Sequence, residues 1–230
     1  MSSMLCLLLS LGILISSVIA APLNQTNCGN CYYSAFDSAI DVGSALPCLA
    51  SNGFASGLFP IYSKGNVNVA AANGYQAAPY ANIYAEALIQ LSSNSTSDQF
   101  GAFWSSCCSL IWNSQLHSIW LDLSSAATWG TDTNSNGKII NDFLQKAQQQ
   151  ALSIGILTSK AENDKIVGQN FQYPIYTRVW YQSVGPSDFN DYQRIGSIAY
   201  PSVKQYQRNQ SVCGVNINYS SYIPYYGKRI

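Results

Sequence analysis

Apolar positions along this chain fall into short runs with a period of two, separated by stretches with a helical period. The sharpest run is Ile119-Trp120-Leu121-Asp122-Leu123-Ser124, where alternation places Trp120, Asp122 and Ser124 on one face of a strand. Strand-like runs also cover 32–37, 57–62, 82–88, 153–158, 175–180, 202–206 and 214–219, which with 117–123 makes eight. The best helical period lies at 136–151, with Ile139, Ile140, Phe143, Leu144 and Ala147 on one side. Shorter helices are predicted at 44–51 and 97–110, and an Ala-rich segment at 67–77. Strands alternating with helices predict parallel βα units. The later connections are short or irregular, so the expected fold is α/β: a modified, irregular β/α TIM-like barrel in a single domain. In such barrels chemistry gathers at the C-terminal ends of the strands. The sequence shows no internal repeat, long linker or second domain.

The ends and the composition set the compartment. Leu5 to Val18 is apolar but short for a membrane span, and it closes on the small-residue pattern Val18-Ile19-Ala20. Residues 1–20 therefore read as a signal peptide, although no Lys or Arg precedes the apolar run, and 21–230 as the barrel domain. The expectation is a secreted, extracellular protein with no membrane insertion once the signal is removed. Cys28, Cys31, Cys48, Cys107, Cys108 and Cys213 then remain, an even set that favours up to three disulfides. A zinc or redox reading of Cys28-x-x-Cys31 is disfavoured, because the chain has a single histidine and Cys107-Cys108 suits no ordinary zinc site. No metal or cofactor is expected. Sequons at Asn24, Asn94, Asn209 and Asn218 fit secretion, the last lying in an expected strand. Eleven basic and eleven acidic residues balance to zero, which argues against nucleic-acid binding. Sixteen tyrosines could supply sugar-stacking platforms or ordinary core packing.

Strand ends supply the candidate chemistry. Asp37 ends the first strand, Asp122 ends the fourth, Glu86 lies late in the third, and Asn216 and Asn218 alternate along the eighth. A cap or turn role is the alternative for either Asp. Trp180, at the end of the sixth expected strand, is the best aromatic candidate for a sugar platform; Trp120 reads equally well as buried packing. Ser124 lacks a Gly-x-Ser-x-Gly elbow and reads as a helix cap rather than a nucleophile.

These pieces, in order, carry a resemblance. Phe36-Asp37, Ile119-Trp120-Leu121-Asp122, and Val203-Lys204-Gln205-Tyr206 before Cys213-Gly214-Val215 resemble the glycoside hydrolase family 25 lysozymes, in particular the small secreted lysozyme-like proteins of nematodes. The resemblance runs over nearly the whole mature chain. It implies a barrel that cleaves the β-1,4 bond between N-acetylmuramic acid and N-acetylglucosamine, with an acidic site at its mouth. Asp37 and Asp122 match two of the family's acids. Ser124 stands where the family has its glutamate, and Asn216 where it has its last aspartate. Gln205, Tyr206 and Asn218 join Ser124, Trp180 and Asn216 as candidate sugar contacts.

Glycoside hydrolysis needs a protonated carboxylic acid for the leaving oxygen, and a serine hydroxyl at neutral pH cannot act as one. The resemblance therefore implies a secreted protein of antibacterial defence with lost or much reduced muramidase activity that binds bacterial cell-wall glycan or another N-acetylated glycan. Two alternatives stand beside it. An active hydrolase would pair Glu86, one of two glutamates in the chain, with Asp122 and Asp37; the competing role for Glu86 is a bond to Arg178 or Lys64. A secreted partner-binding barrel with a vestigial cleft would use none of these groups.

Overall fold

The computed structural model describes residues 34–37, 42–91, 98–107 and 116–223. Nine strands follow in order: β1 Ser34–Asp37, β2 Phe54–Ser63, β3 Asn66–Val67, β4 Tyr84–Gln90, β5 Ser118–Asp122, β6 Ser153–Thr158, β7 Arg178–Gln182, β8 Val203–Val212 and β9 Val215–Tyr222. Five α-helices lie between them: α1 Leu46–Ser51, α2 Val69–Ala77, α3 Gln99–Cys107, α4 Thr133–Gln149 and α5 Lys160–Val167. Neighbours run β1-β9-β8-β7-β6-β5-β4-β2-β3, and β1 also pairs with β2, so eight strands close into a barrel and β3 hangs from β2 as a flap. Pairing is parallel along β1-β2-β4-β5-β6-β7-β8 and antiparallel at β8–β9, at β9–β1 and between β2 and its flap β3.

Local chemistry explains the two reversals. Cys213 and Gly214 both hold positive φ (55° and 75°) between the paired residues Val212 and Val215. That is what a two-residue hairpin turn requires, and glycine adopts it without strain. Lys64 and Gly65 do the same between Ser63 and Asn66. The expected eight strands are therefore present, but the eighth runs antiparallel. One strand is also displaced. The apolar run 175–180 predicted a strand ending at Trp180, whereas β7 begins at Arg178, and Ile175 and Tyr176 are exposed in the preceding loop.

The helices cap and pack as their sequences direct. Asp132 accepts from the backbone N–H groups of Asn134 and Ser135 to start α4, which buries Ile140, Phe143, Leu144 and Ala147 against the sheet. Ser159 caps α5 through the Glu162 N–H, and Glu162 turns its carboxylate to the Ala126 N–H at 2.5 Å. Cys48 of α1 is bonded to Cys213 at the β8–β9 turn. Of the other cysteines expected to pair, Cys107 is a free, buried thiol that forms no bridge, and burial pushes its pKa up to about 12. Cys28, Cys31 and Cys108 lie outside the described residues, as do the proposed signal segment and the sequons at Asn24 and Asn94. No helix among the described residues is long and apolar enough to cross a membrane.

Inside the ring the side chains form three storeys. Ala35, Leu58, Trp120, Leu157, Trp180 and Val203 make an apolar middle, with Trp120 and Trp180 edge-to-face at 5.3 Å between ring centres. Gly155 makes room for this pair: a Cβ there would fall within 3.0 Å of three ring atoms of Trp120. Below lies a polar cage around Glu86, and above lies the open mouth.

Candidate active site

The mouth is a cleft of about 370 Å³, within the usual range for small-ligand sites. Leu58, Leu88 and Leu157 form its floor. Its polar wall comes from the last residues of three strands, Asp37 of β1, Asp122 of β5 and Gln182 of β7, and from Gln205 and Asn218 within the longer β8 and β9, with Ser124 just beyond β5. Pro60, Tyr62, Ser63, Asn68 and Gln90 complete the side towards β3.

Asp37 is the centre of a fixed network. Gln205 Nε2 donates to its Oδ2 and Asn218 Nδ2 to its Oδ1, each at 2.5 Å. Neither amide can turn over without loss. The Gln205 Oε1 already accepts from Gln182 Nε2 and from Arg208 Nε, both at 3.1 Å. The Asn218 Oδ1 accepts from the Asn209 N–H at 3.0 Å. Both amides therefore present donors to Asp37, the arrangement suited to a carboxylate rather than a carboxylic acid. Burial acts in the opposite direction and dominates. It raises the Asp37 pKa to about 6 against the two amides, with Asp122's negative charge adding to the rise and Arg208 lowering it. Asp37 is thus ionised at neutral pH and protonated in mild acid.

Asp122 accepts from the Ser124 N–H at 2.9 Å, a local turn that holds the carboxylate at the strand end. Ser124 lines the cleft beside it. The structure so brings together Asp37, Asp122, Ser124, Gln205 and Asn218. Among the described residues Asp37 and Asp122 are the carboxylates lining this cleft, and no third acid accompanies them there.

The remaining sequence candidates fall elsewhere. Glu86 faces the barrel interior at the opposite end, two and four positions before the cleft residues Leu88 and Gln90 of the same strand, and is 1% exposed. Ser118 Oγ donates to it at 2.8 Å and Trp120 Nε1 at 2.5 Å; the Tyr222 hydroxyl also donates, and Arg178 pairs with it at 3.5 Å. Glu86 therefore does not share a rim with Asp122, and the bond to Arg178 is the role the structure gives it. Alternation correctly turns it inward but says nothing of height along the barrel. Trp180 is fully buried in the middle storey, its indole N–H donating to Ser220 Oγ at 3.0 Å, and offers no face to a ligand. Tyr206 packs on Tyr219 with ring centres 6.3 Å apart and does not line the cleft. Asn216 is exposed beyond the rim, paired with Ser211 in the hairpin, so Asn218 is the β9 residue that meets Asp37. Gln182 was missed. An isolated amide at a strand end carries no sequence signal. Among the described residues no cluster of His, Cys, Asp or Glu could hold a metal ion.

Comparison with solved structures gives this architecture a class. The barrel superposes on a family GH25 lysozyme from Aspergillus fumigatus with a TM-score of 0.66 at 13% identity, covering 86% of this chain and 97% of that one. A bacterial lysozyme from Streptomyces coelicolor gives 0.64 at 16% identity, covering 82% and 91%. The fold is thus the irregular TIM-like barrel of family 25 lysozymes. Sequence narrows it further: the family described as Lysozyme-like protein 1 matches residues 31–206, and the chain belongs to that family. Caenorhabditis elegans lysozyme-like protein 7 is 30% identical over 116 residues, 47% of this chain and 41% of the relative. Lysozyme-like protein 3 of the same nematode is 25% identical over 219 residues, 88% of this chain and 71% of the relative. The first three curated relatives are matched over only about two-fifths of their own length.

Proposed function

We propose that this protein is a secreted, lysozyme-like barrel of antibacterial defence that binds bacterial cell-wall glycan, or another N-acetylated glycan, with its muramidase activity lost or much reduced. The observation that carries this reading is the make-up of the mouth: among the described residues two carboxylates, Asp37 and Asp122, line it, with Ser124 beside them and no third acid. Loss of a general acid typically costs about two to four orders of magnitude in rate. Asp37 is a poor substitute, since both its oxygens accept from amides whose orientation is fixed. What remains is a polar cleft of amides, hydroxyls and two carboxylates over an apolar floor, suited to orienting sugar hydroxyl and N-acetyl groups. Ser124, Gln205 and Asn218 are the contacts the cleft supplies for this role. The Cys48–Cys213 disulfide fits an oxidising compartment. Among the structural neighbours, a modular autolysin of Streptococcus pneumoniae was solved in complex with a synthetic peptidoglycan ligand, with a TM-score of 0.60 at 11% identity.

The test pairs binding with chemistry on the folded, oxidised protein. Sedimentation with purified peptidoglycan is expected to retain it. Reducing-end release, with mass spectrometry of the products, is expected to stay at background and to rise in Ser124→Glu, which returns a carboxylic acid to the mouth. Muramic-acid-terminated fragments released by the unmodified protein at lysozyme-like rates would overturn the loss of activity. Failure to sediment would overturn the glycan-binding reading in favour of a partner-binding barrel.

A further inference from the structure

Two of the sequons lie on the β8–β9 hairpin, and the folded barrel treats them in opposite ways. Asn209-Gln210-Ser211 falls where β8 bulges against β9, between the paired residues Gln207 and Gln210. Asn209 holds a left-handed backbone there (φ 54°), a conformation asparagine tolerates better than most residues. Its side chain is exposed and has no hydrogen-bond partner among the described residues, and Ser211 is exposed as well. The Asn209 backbone N–H donates to Asn218 Oδ1 at 3.0 Å, and Asn218 lines the cleft, so Asn209 stands on the rim of the mouth. Asn218-Tyr219-Ser220 is closed by comparison. Asn218 Nδ2 donates to Asp37 at 2.5 Å, and the buried Ser220 hydroxyl accepts from the Trp180 indole N–H at 3.0 Å. A sugar on Asn218 Nδ2 would replace one of its two hydrogens and set a ring against Asp37.

We propose that Asn209 carries an N-linked glycan on the rim of the cleft and that Asn218 carries none. This rests on the secreted reading above, since such sequons are modified in secreted chains. Asn209 Nδ2 bonds to the anomeric carbon of an N-acetylglucosamine delivered as a lipid-pyrophosphate-linked oligosaccharide. The carbon–oxygen bond to the pyrophosphate breaks, that group leaves with the electron pair, and the amide nitrogen gives up one proton. The transfer takes an extended chain, so the fold decides which product is kept. A glycan on Asn209 extends into solvent and costs no native side-chain bond, whereas one on Asn218 obstructs the Asp37 network. The attached sugar chain then flanks the mouth on its β8–β9 side.

The test expresses the full chain in cultured eukaryotic cells and recovers the folded protein from the medium. Enzymatic deglycosylation in heavy-oxygen water, followed by mass spectrometry of the peptides, reads each sequon separately. Heavy aspartate is expected in place of Asn209, and unmodified asparagine at Asn218. Asn209→Gln and, independently, Ser211→Ala should each lose the mass of one glycan. Protein from the medium with Asn209 unmodified, no loss of mass in either variant, or a glycan on Asn218 overturns the inference while leaving the secreted reading intact. A folded chain retained inside the cells with no sequon occupied overturns the secreted reading and this inference with it.

Discussion

Asp37 is held ionised in a place that disfavours its charge, and Asp37→Asn measures the cost. Burial raises its pKa from 3.8 to about 6. A carboxyl with a raised folded-state pKa binds its proton more tightly in the native than in the unfolded chain. Its contribution to stability is therefore greatest below the unfolded pKa, declines as pH rises from 3.8 to about 6, and stays low above that. The shift of about two units corresponds to roughly 2–3 kcal/mol. Asparagine keeps the shape but carries no charge. It forfeits one of the two amide bonds, because one of its own N–H groups must face the donor of Gln205 or Asn218. Urea unfolding of both proteins between about pH 3 and pH 8 separates the two effects. Asp37→Asn should be the less stable near pH 3, by about 1 kcal/mol for the lost bond. The gap should close and reverse through the window from 3.8 to about 6, a relative gain of roughly 2–3 kcal/mol. Other shifted carboxylates, such as Asp98 and Asp191 with their lowered values, are present in both proteins and cancel in the difference. A difference that stays flat across that window would show that burial of Asp37 does not govern its charge.

Two further outcomes follow from the barrel interior. Gly155→Ala should destabilise the fold by about 1–3 kcal/mol, read as a lower urea midpoint at unchanged slope, because its Cβ would meet the Trp120 ring, which the Glu86 and Trp180 contacts hold in place. Glu86→Gln should cost about 3–5 kcal/mol by leaving Arg178 unpaired in the barrel and setting an amide N–H against hydroxyl and indole donors. Peptidoglycan sedimentation by the fraction of Glu86→Gln that remains folded should match the unmodified protein, since Glu86 does not line the cleft.

Much of this was legible in residue order. Period-two runs located all eight barrel strands, and placing chemistry at strand ends brought Asp37, Asp122 and Ser124 to one mouth. What failed was height and direction. Glu86 faces inward as alternation requires, but only the stagger of the closed sheet shows that it lies beneath Trp120. Ile175 and Tyr176 look like strand residues by type, yet both are exposed in a loop, and the shift of β7 past them buries Trp180. Asn216 and Asn218 share a face, and pairing with β1 alone decides which of them meets Asp37. Helix α5 escaped notice because Lys160–Val167 is short and largely polar; its signal was the Ser159 cap with Glu162 three residues on.

The antiparallel pairing of β9 with β1 joins opposite ends of the described chain, and it has a consequence for folding order. Asp37 lies on the first strand, while its two amide partners lie on the eighth and ninth. During synthesis the carboxylate therefore emerges long before either amide. The Asp37 network at the mouth is thus incomplete until the last two strands have joined the sheet. Cys48 and Cys213, 165 residues apart, meet at the same seam. Their bond ties the helix that follows β1 to the turn that leads into β9, so the early and late parts of the barrel are joined covalently as well as by strand pairing.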